Sequence, residues 1–306
     1  MPWVRTRFMK LLADMPHPLW EWVGLVAVWS LLFSPALYRL VRLGLENDDY
    51  SHVGLIPLIF AGLLWHERHR LSFSSDPVPA AFFGLCSLIL LVPVLPDFTG
   101  PETLERLSLQ IAAFVVGVTA LFVWRCGTHA LLTASFPFFM LLFFVPLPSF
   151  LLQPWIDLLL WGSTHTTDFF FRLSAVPYLQ EGTRFLLPNV AIEIAEQCSG
   201  IRSTMALVIT GLLAGRLFLR RFWTRGLLIA LLFPLAMFKN GLRIATLTLL
   251  SIRVDPGFLE GDLHRRGGIV FFLIALLVMV VIIRLLQKIE DRSVRGTAAC
   301  SAEPGA

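Results

Sequence analysis

Long apolar stretches constrain this chain more than any other feature. Runs of about 17 to 25 apolar residues recur along nearly the whole sequence, and each can cross a hydrocarbon core about 30 Å thick. Of all residues 56% are hydrophobic and only 15% are charged, with a mean hydropathy of +0.74. These values exclude an ordinary soluble domain. The sequence predicts an all-α fold, a polytopic transmembrane helical bundle.

About eight spans are predicted, at residues 19–43, 50–66, 79–96, 107–124, 129–150, 199–219, 225–251 and 268–287. The second span has a short apolar run, Val53 to Trp65, so a re-entrant segment is an alternative there. Residues 151–178 mix apolar and polar positions, which favours a helix on or dipping into the interface. We expect one transmembrane domain at 19–287, between a cytoplasmic segment at 1–18 and a cytoplasmic tail at 288–306. The first span is interpreted as retained rather than cleaved as a signal peptide.

Basic residues orient these spans, because Lys and Arg accumulate in cytoplasmic segments. With the N-terminus inside, most of the basic loop residues lie inside and most of the carboxylates lie outside. The exceptions are Arg39, Arg42, Arg253, Arg265 and Arg266. Both termini are therefore predicted inside a cell inner (plasma) membrane. The net charge of +4 gives no indication of a nucleic-acid partner, and the basic clusters are interpreted as topology signals.

One segment departs from the helical pattern. Between Thr183 and Gln197, Val190, Ile192 and Ile194 alternate with smaller or charged residues after the Pro188-Asn189 turn. Period-two alternation around a turn predicts a small β-hairpin. An open hairpin is not stable in hydrocarbon, so we expect it on the extracytoplasmic face, before the sixth span.

Cys198 is the first candidate for chemistry. Of the four cysteines (Cys86, Cys126, Cys198 and Cys300), only Cys198 is predicted on the outer face, so no disulfide framework is expected. Ser199 can cap the following helix, and Gly200 leaves its backbone accessible. A helix N-terminus favours a thiolate, and its amide groups can bind an oxyanion. Arg202, one turn later, can add to this effect.

Arg243 lies in the outer half of the seventh span, where an arginine is costly unless it faces protein or water. Asn240 is three positions earlier and is predicted on the same helix face, so the two side chains are expected in one polar pocket. Lys239 is expected to point elsewhere and to snorkel towards the interface.

His264 precedes the last span on the same predicted side of the membrane as Cys198. Imidazole exchanges a proton near neutral pH, which suits a general acid or base. Asp262 or Asp255 can orient the ring, and the sequence leaves both open. No other histidine has metal-ligand spacing, so no metal and no cofactor are predicted.

These residues resemble the exosortase/archaeosortase family of membrane transpeptidases. The resemblance rests on Glu196-Gln197-Cys198-Ser199-Gly200-Ile201-Arg202-Ser203, on Asn240-Gly241-Leu242-Arg243 and on His264-Arg265-Arg266-Gly267-Gly268. Asp49-Tyr50-Ser51-His52 and Val145-Pro146-Leu147-Pro148 are also similar to family segments, and the resemblance covers about residues 20 to 287. Gln197 and Lys239 depart from the usual pattern.

The resemblance implies a catalytic triad of Cys198, Arg243 and His264. Cys198 would form an acyl-thioester, Arg243 would donate a proton or stabilise the transition state, and His264 would be the third member. The implied substrates are secreted proteins whose C-terminus carries a short motif such as Pro-Glu-Pro, a transmembrane helix and a basic cluster. The expected function is therefore a cysteine peptidase or transpeptidase facing the periplasm. The oligomeric state and the acceptor nucleophile stay open.

Two other functions fit parts of the pattern. In a transporter or flippase, Arg202, Lys239 and Arg243 would bind an anionic solute or headgroup, and the cysteine would be dispensable. In a scaffold subunit of an envelope polysaccharide export system, the same residues would serve packing only. The sequence shows no inverted repeat of interrupted helices, which counts against the transporter.

Overall fold

The structure is a computed structural model that describes residues 16–94, 103–188, 190–195, 200–254 and 268–300. The chain divides into two compact units, Met1–Leu151 and Leu152–Ala306. The first unit contains helices and 3₁₀ turns. Among its described residues, the second contains four helices, or parts of them, and a small sheet.

The described part of the first unit begins with α1 (His17–Leu32) and α2 (Ser34–Glu46). After a 3₁₀ segment at Asp48–Leu55, the chain forms α3 (Ile56–Glu67), α4 (Pro77–Leu91) and α5 (Leu104–Cys126). The unit ends with α6 (Thr128–Thr133), α7 (Ser135–Leu141) and the start of α8 (Ser149–Ser174). Short 3₁₀ turns lie at Arg68–Arg70, Val92–Val94 and Leu142–Phe144.

Aromatic side chains form the core of this unit. The Phe122 ring lies between Trp22, at a centroid distance of 5.3 Å, and Phe138, at 4.8 Å. Gly117 allows a close contact between α1 and α5, because a Cβ atom there would lie 2.5 Å from the Trp29 ring. Dispersion contacts of this kind stabilise a bundle in lipid, where burial of apolar surface adds little.

The second unit holds the rest of α8, then α9 (Ile201–Phe218), α10 (Phe222–Arg253) and α11 (Gly268–Cys300). Leucines of α10 pack on apolar residues of α9 and α11 in one buried cluster. Hydrogen bonds place the end of α11 beside the end of α9 and the start of α10. Gln287 of α11 donates to the Phe218 carbonyl at 3.0 Å, and the Arg221 amide donates to Glu290 at 2.8 Å. The helices α9 and α11 therefore each run antiparallel to α10.

A three-stranded antiparallel sheet connects α8 to α9. Its strands are β1 (Leu179–Glu181), β2 (Arg184–Leu187) and β3 (Val190–Glu193), paired in that order. Leu187 pairs with Val190 across the Pro188-Asn189 position, so the predicted hairpin is confirmed and a third strand, β1, was missed. Phe185 and Ile194 pack against Phe171 of α8 and Ala245 of α10.

The predicted fold class is confirmed, whereas the count of eight spans is not reached among the described residues. Four described helices are long and apolar enough to span: Leu104–Cys126, Ile201–Phe218, Phe222–Arg253 and Gly268–Arg292. The count rises to six if each of two broken pairs, His17–Leu32 with Ser34–Glu46 and Ser135–Phe144 with Ser149–Ser174, is one span.

Three of the predicted spans are interrupted in the described residues. The segment 50–66 becomes a 3₁₀ turn followed by the 12-residue α3, about 18 Å long, which is too short to cross. The segment 79–96 gives the 15-residue α4. The segment 129–150 breaks into α6, α7 and a 3₁₀ turn.

Candidate active site

The predicted site residues fall into two groups. Cys198, Ser199 and His264 lie outside the described residues. Gly200, Arg202, Asn240 and Arg243 are described, and they lie in the second unit on α10 and at the start of α9. The roles assigned to all seven stay predictions.

Gly200 is the residue of the cysteine motif that contacts α10. It adopts a left-handed conformation with φ +76° directly before the first residue of α9. A Cβ atom at this position would lie 3.0 Å from Cγ and Oδ1 of Asn240. Its carbonyl accepts hydrogen bonds from the hydroxyls of Ser203 and Thr204, both at 2.9 Å. A glycine is therefore needed here both for the backbone conformation and for the contact with Asn240.

Asn240 lies at the junction of three helices. Its side chain is buried, with 2% of the residue exposed, and Nδ2 donates to the Ser163 hydroxyl of α8 at 3.0 Å. The next residue, Gly241, allows α8 and α10 to approach closely, since a Cβ atom there would lie 2.5 Å from Thr166. Small residues at a helix contact commonly permit such approaches in membranes. The amide is thereby fixed against the backbone that follows Cys198.

Lys239 corrects one sequence prediction. It does not snorkel: only 5% of the residue is exposed, and its ammonium donates a hydrogen bond to the Ser203 hydroxyl of α9. The snorkelling prediction assumed that this face of α10 meets lipid, but the first turn of α9 covers it. Among the described residues no carboxylate forms an ion pair with Lys239. A buried charge in a membrane helix of this kind is a functional candidate by default.

Arg243 lies one helical turn after Lys239 and Asn240 and is half-buried. Positions four apart are neighbours on a helix surface, so the ammonium and the guanidinium occupy the same side of α10. Arg202 is exposed at the start of α9. Two cations and amide donors grouped at a helix N-terminus can stabilise an anion, including the oxyanion of an acyl-transfer reaction.

The sheet closes this end of the second unit. Tyr178, just before β1, donates a hydrogen bond to Asp168 of α8, and Arg172 forms an ion pair with the same carboxylate at 2.9 Å. Burial and the hydrogen bond to Asp168 raise the pKa of Tyr178, so the hydroxyl stays protonated and continues to donate. These contacts fix the strands that lead towards Cys198.

The start of α10 is surrounded by basic residues and lies far from Arg243. Near its start lie Arg216, Arg220, Arg221, Arg225 and Lys288. Nineteen residues separate Thr224, which bonds to Glu290, from Arg243, a distance of about 28 Å along the helix. Because α11 runs antiparallel to α10, nineteen residues back from Glu290 along α11 reach Phe271, at about the height of Arg243. Gly268, at the start of α11, is three residues further and therefore lies within about one turn of the same height. One hydrocarbon thickness, about 30 Å, thus separates the basic end from the site.

Sequence reasoning missed Ser163, Ser203 and the inward position of Lys239. One signal was readable: Gly162-Ser163-Thr164-His165-Thr166-Thr167 is a run of small and polar residues within an otherwise apolar helix. Such a run is typical of a close helix contact in a membrane. Within the described part of the chain, no group of three or more His, Cys, Asp or Glu side chains is placed to hold a metal ion.

Comparison with known proteins gives one match. A family model described as "Transmembrane exosortase (Exosortase_EpsH)" matches residues 44–281. No curated protein and no solved structure matches the chain. The matched segment covers most of the sequence and includes all of the helices that meet at Asn240. This multi-pass membrane protein therefore belongs to the transmembrane exosortase family.

Proposed function

We propose that this protein is a membrane cysteine transpeptidase or peptidase that removes the C-terminal sorting signal of secreted proteins. Cys198 is the nucleophile, Arg243 stabilises the developing charge, and His264 transfers the proton. Membership of the exosortase family supports a membrane transpeptidase acting on sorting signals. The geometry of the described residues of the second unit supports the roles proposed for the individual residues.

The contact between Gly200 and Asn240 carries the proposal. Consecutive Cα atoms lie about 3.8 Å apart, so two peptide bonds limit residue 198 to about 7.6 Å from Gly200. Gly200 itself lies against Asn240, one helical turn before Arg243. Chain connectivity therefore supports a position of the Cys198 thiol close to Lys239 and Arg243 of α10.

The level of α11 supports the role of His264. Gly268 begins α11 close to the level of Arg243, and His264 is four residues earlier in the sequence. A separation of four residues allows the imidazole to reach the same end of the bundle. In this proposal the motifs 196–203, 240–243 and 264–268 lie at about the same level of the second unit.

The reaction follows from these groups. The Cys198 thiolate attacks the scissile carbonyl, which forms an S–C bond and places negative charge on the carbonyl oxygen. Arg243 and helix N-terminal amides stabilise this oxyanion, and the imidazolium of His264 donates a proton to the departing amine as the C–N bond breaks. An acceptor amine or water then attacks the thioester and regenerates the thiol.

Lys239 acts as a positioning residue in this proposal. Its ammonium binds the Ser203 hydroxyl, which in turn donates to the Gly200 carbonyl. This chain of hydrogen bonds fixes the first turn of α9 against α10. The buried positive charge also favours the thiolate form of a nearby cysteine.

The membrane orientation is part of the same proposal. The basic end of the second unit is assigned to the cytoplasm by the positive-inside rule, and the site then faces the periplasm or exterior across the inner membrane. In this arrangement 19–287 is the transmembrane domain and both terminal segments are cytoplasmic. A substrate whose own C-terminal helix is in the bilayer can reach the site laterally, with its scissile bond at the interface.

Co-expression with a secreted protein that carries a C-terminal motif, a transmembrane helix and a basic cluster tests the function. Removal of the tail is measured as a faster-migrating band of the secreted protein on an immunoblot. Cys198→Ala is expected to lower the processing rate by at least about 10³-fold, and Arg243→Gln by about 10²- to 10³-fold.

Two matched variants serve as controls. Cys86→Ala changes a half-buried cysteine of α4, and Arg253→Gln changes an exposed arginine of α10. Both should process the tail as the wild type does. Full processing by Cys198→Ala at wild-type rate would exclude the mechanism and favour a transporter or a scaffold.

A further inference from the structure

The strand β3 pairs on only one of its two edges among the described residues. The strands are ordered β1-β2-β3, so β3 borders β2 and ends the sheet. In the ranges that the structure describes, no backbone or side-chain group bonds to the outer edge of Ala191 or to the Glu193 amide. Both residues are exposed. This edge is therefore open to an extended peptide, which can pair with it through the backbone.

The register decides which backbone groups of β3 point to this edge. Opposite residues of an antiparallel pair alternate between hydrogen-bonded pairs and pairs whose amide and carbonyl groups point away from each other. The Ile194 amide donates to the Thr183 carbonyl at 3.1 Å, so by alternation Ala191 and Glu193 direct their backbone groups outward. The Glu193 carbonyl accepts a hydrogen bond from the Ala195 amide. The amides of Ala191 and Glu193 and the Ala191 carbonyl are then available to a further strand.

The sheet holds this edge at a fixed position relative to α10. Phe185 and Ile194 belong to one buried cluster with Ala245 of α10. Ile244, the residue after Arg243, packs against the same cluster. Close packing of this kind leaves little freedom of movement. A peptide added to β3 is therefore positioned relative to the helical turn that carries Arg243.

The distance along the chain relates β3 to the proposed nucleophile. Cys198 is five positions after Glu193. An extended chain advances at most about 3.6 Å per residue, so position 198 lies within about 18 Å of Glu193. An extended substrate covers that distance with about five residues. A peptide strand beside β3 thus corresponds to the residues that shortly precede the scissile bond.

The chemistry of the proposed substrate favours this part of it as the added strand. Under the proposed function, the substrate after the scissile bond continues into a membrane helix, whose backbone groups are already paired within the helix. The residues before the scissile bond lie in water and keep free amide and carbonyl groups. The opposite edge of the sheet, at β1, directs only the backbone groups of Gln180 outward, and it does not lead to the cysteine motif.

We infer that the outer edge of β3 binds the substrate residues before the scissile bond as a fourth strand of the sheet. Main-chain hydrogen bonds supply affinity in such strand addition without requiring particular side chains. They also orient the scissile bond towards the nucleophile, which contributes to the rate. This inference rests on the proposed function and names how that site holds its substrate.

Cross-linking in an inactive variant tests the pairing without catalysis. Cys198→Ala/Ala191→Cys, with the remaining cysteines changed to alanine, is co-expressed with the secreted protein of the processing assay. Single cysteines are placed in turn along the substrate before its scissile bond. Side chains of a strand alternate between two faces, so a disulfide should form at one position, weakly two residues away and not at either adjacent residue.

The opposite edge of the sheet provides the matched control. Gln180→Cys in the same background should form no disulfide with the substrate. Equal linking at adjacent substrate positions, or equal linking to Gln180→Cys, would overturn the inference. Linking of Ala191→Cys only to a second copy of the protein would also overturn it, because the edge would then be an interface between copies.

Proline variants test whether the β3 edge contributes to substrate binding during the reaction. Ala191→Pro removes an outward amide and no bond to β2. The loss of one hydrogen bond should raise KM about 5- to 10-fold with kcat unchanged. Gln180→Pro removes the outward amide of β1 and should leave both constants unchanged.

The outcomes separate this inference from the proposed function. An unchanged KM in a folded Ala191→Pro variant would overturn the inference while tail removal by the wild type still supports the transpeptidase. Alternating cross-links without tail removal by the wild type would contradict the proposed reaction and leave the binding edge in place. If Ala191→Pro does not fold, the cross-linking scan decides.

Discussion

The described part of the second unit contains two buried polar clusters, one at the start of α10 and one near its middle, and they differ in charge balance. At the basic end, Glu290 accepts hydrogen bonds from the amides of Arg220 and Arg221 and from the Thr224 hydroxyl. A carboxylate from α11 thereby caps the N-terminus of α10, where negative charge is stabilising. Near the middle of the helix, Lys239 and Arg243 lie on one side, and Lys239 has no carboxylate partner among the described residues.

Under the proposed function, this difference separates a structural cluster from a functional one. The Glu290 cluster satisfies its charge internally, so its removal should affect folding. The Lys239 cluster concentrates positive charge that is costly in a membrane interior and that becomes useful when a negative group develops beside it. The predictions below test this distinction through pairs of variants.

Lys239→Met should give the largest change after substitution of the proposed catalytic residues. A unit charge about 8 Å from a developing oxyanion contributes about 2 kcal/mol at an effective dielectric constant of about 20, which is about 30-fold in rate. Thermal stability in detergent should stay equal or rise, because an apolar side chain often replaces a buried charge without loss. Lys288→Met, an exposed position on α11, should leave both quantities unchanged. A parallel fall of activity and stability in Lys239→Met would make this cluster structural too.

Gly200→Ala should lower processing by about tenfold, since a shift of the backbone after Cys198 misplaces the nucleophile. Gly182→Ala is the matched control. Gly182 also has a positive φ, +62°, but a Cβ atom there meets nothing within 4 Å. Both substitutions should cost about 1 kcal/mol of stability from backbone strain, and only Gly200→Ala should reduce the processing rate. Equal processing rates of the two variants would show that the contact between Gly200 and Asn240 has no role in catalysis.

Glu290→Gln should leave the processing rate of the folded protein unchanged. The free energy of unfolding should fall by about 1 to 2 kcal/mol, because a charged cap of α10 is lost. Asp291→Asn removes the same charge at an exposed neighbouring position and should have little effect in a thermal-shift measurement. A reduced processing rate with unchanged stability in Glu290→Gln would reverse the assignment of the two clusters.

The sequence predicted the elements that depend on local pattern. The helical fold and the hairpin at Arg184 to Glu193 follow from periodicity alone. The third strand was missed because Leu179–Glu181 is too short to show alternation. Hydropathy did not show that the segments predicted as spans at 50–66 and 79–96 contain 3₁₀ turns.

Tertiary contacts account for the remaining errors. The position of Lys239 depends on the first turn of α9 covering that face of α10, and no pattern within α10 reports it. The partnership of Asn240 with Ser163 depends on the close approach at Gly241, which only the folded helices reveal. The roles of Cys198 and His264 rest on sequence motifs and on the described residues next to them.

Cross-linking tests most directly whether Cys198 lies beside the cations of α10. Cys86, Cys126 and Cys300 are first changed to alanine, and either Arg243→Cys or Leu231→Cys is then added. Each variant protein is oxidised in membranes, and its disulfide-linked peptides are identified by mass spectrometry. A disulfide requires Cα atoms within about 7 Å, and positions 231 and 243 lie about 18 Å apart along the helix. We predict a link from residue 198 to residue 243 and none to residue 231. A link to residue 231, or none to residue 243, would contradict this prediction.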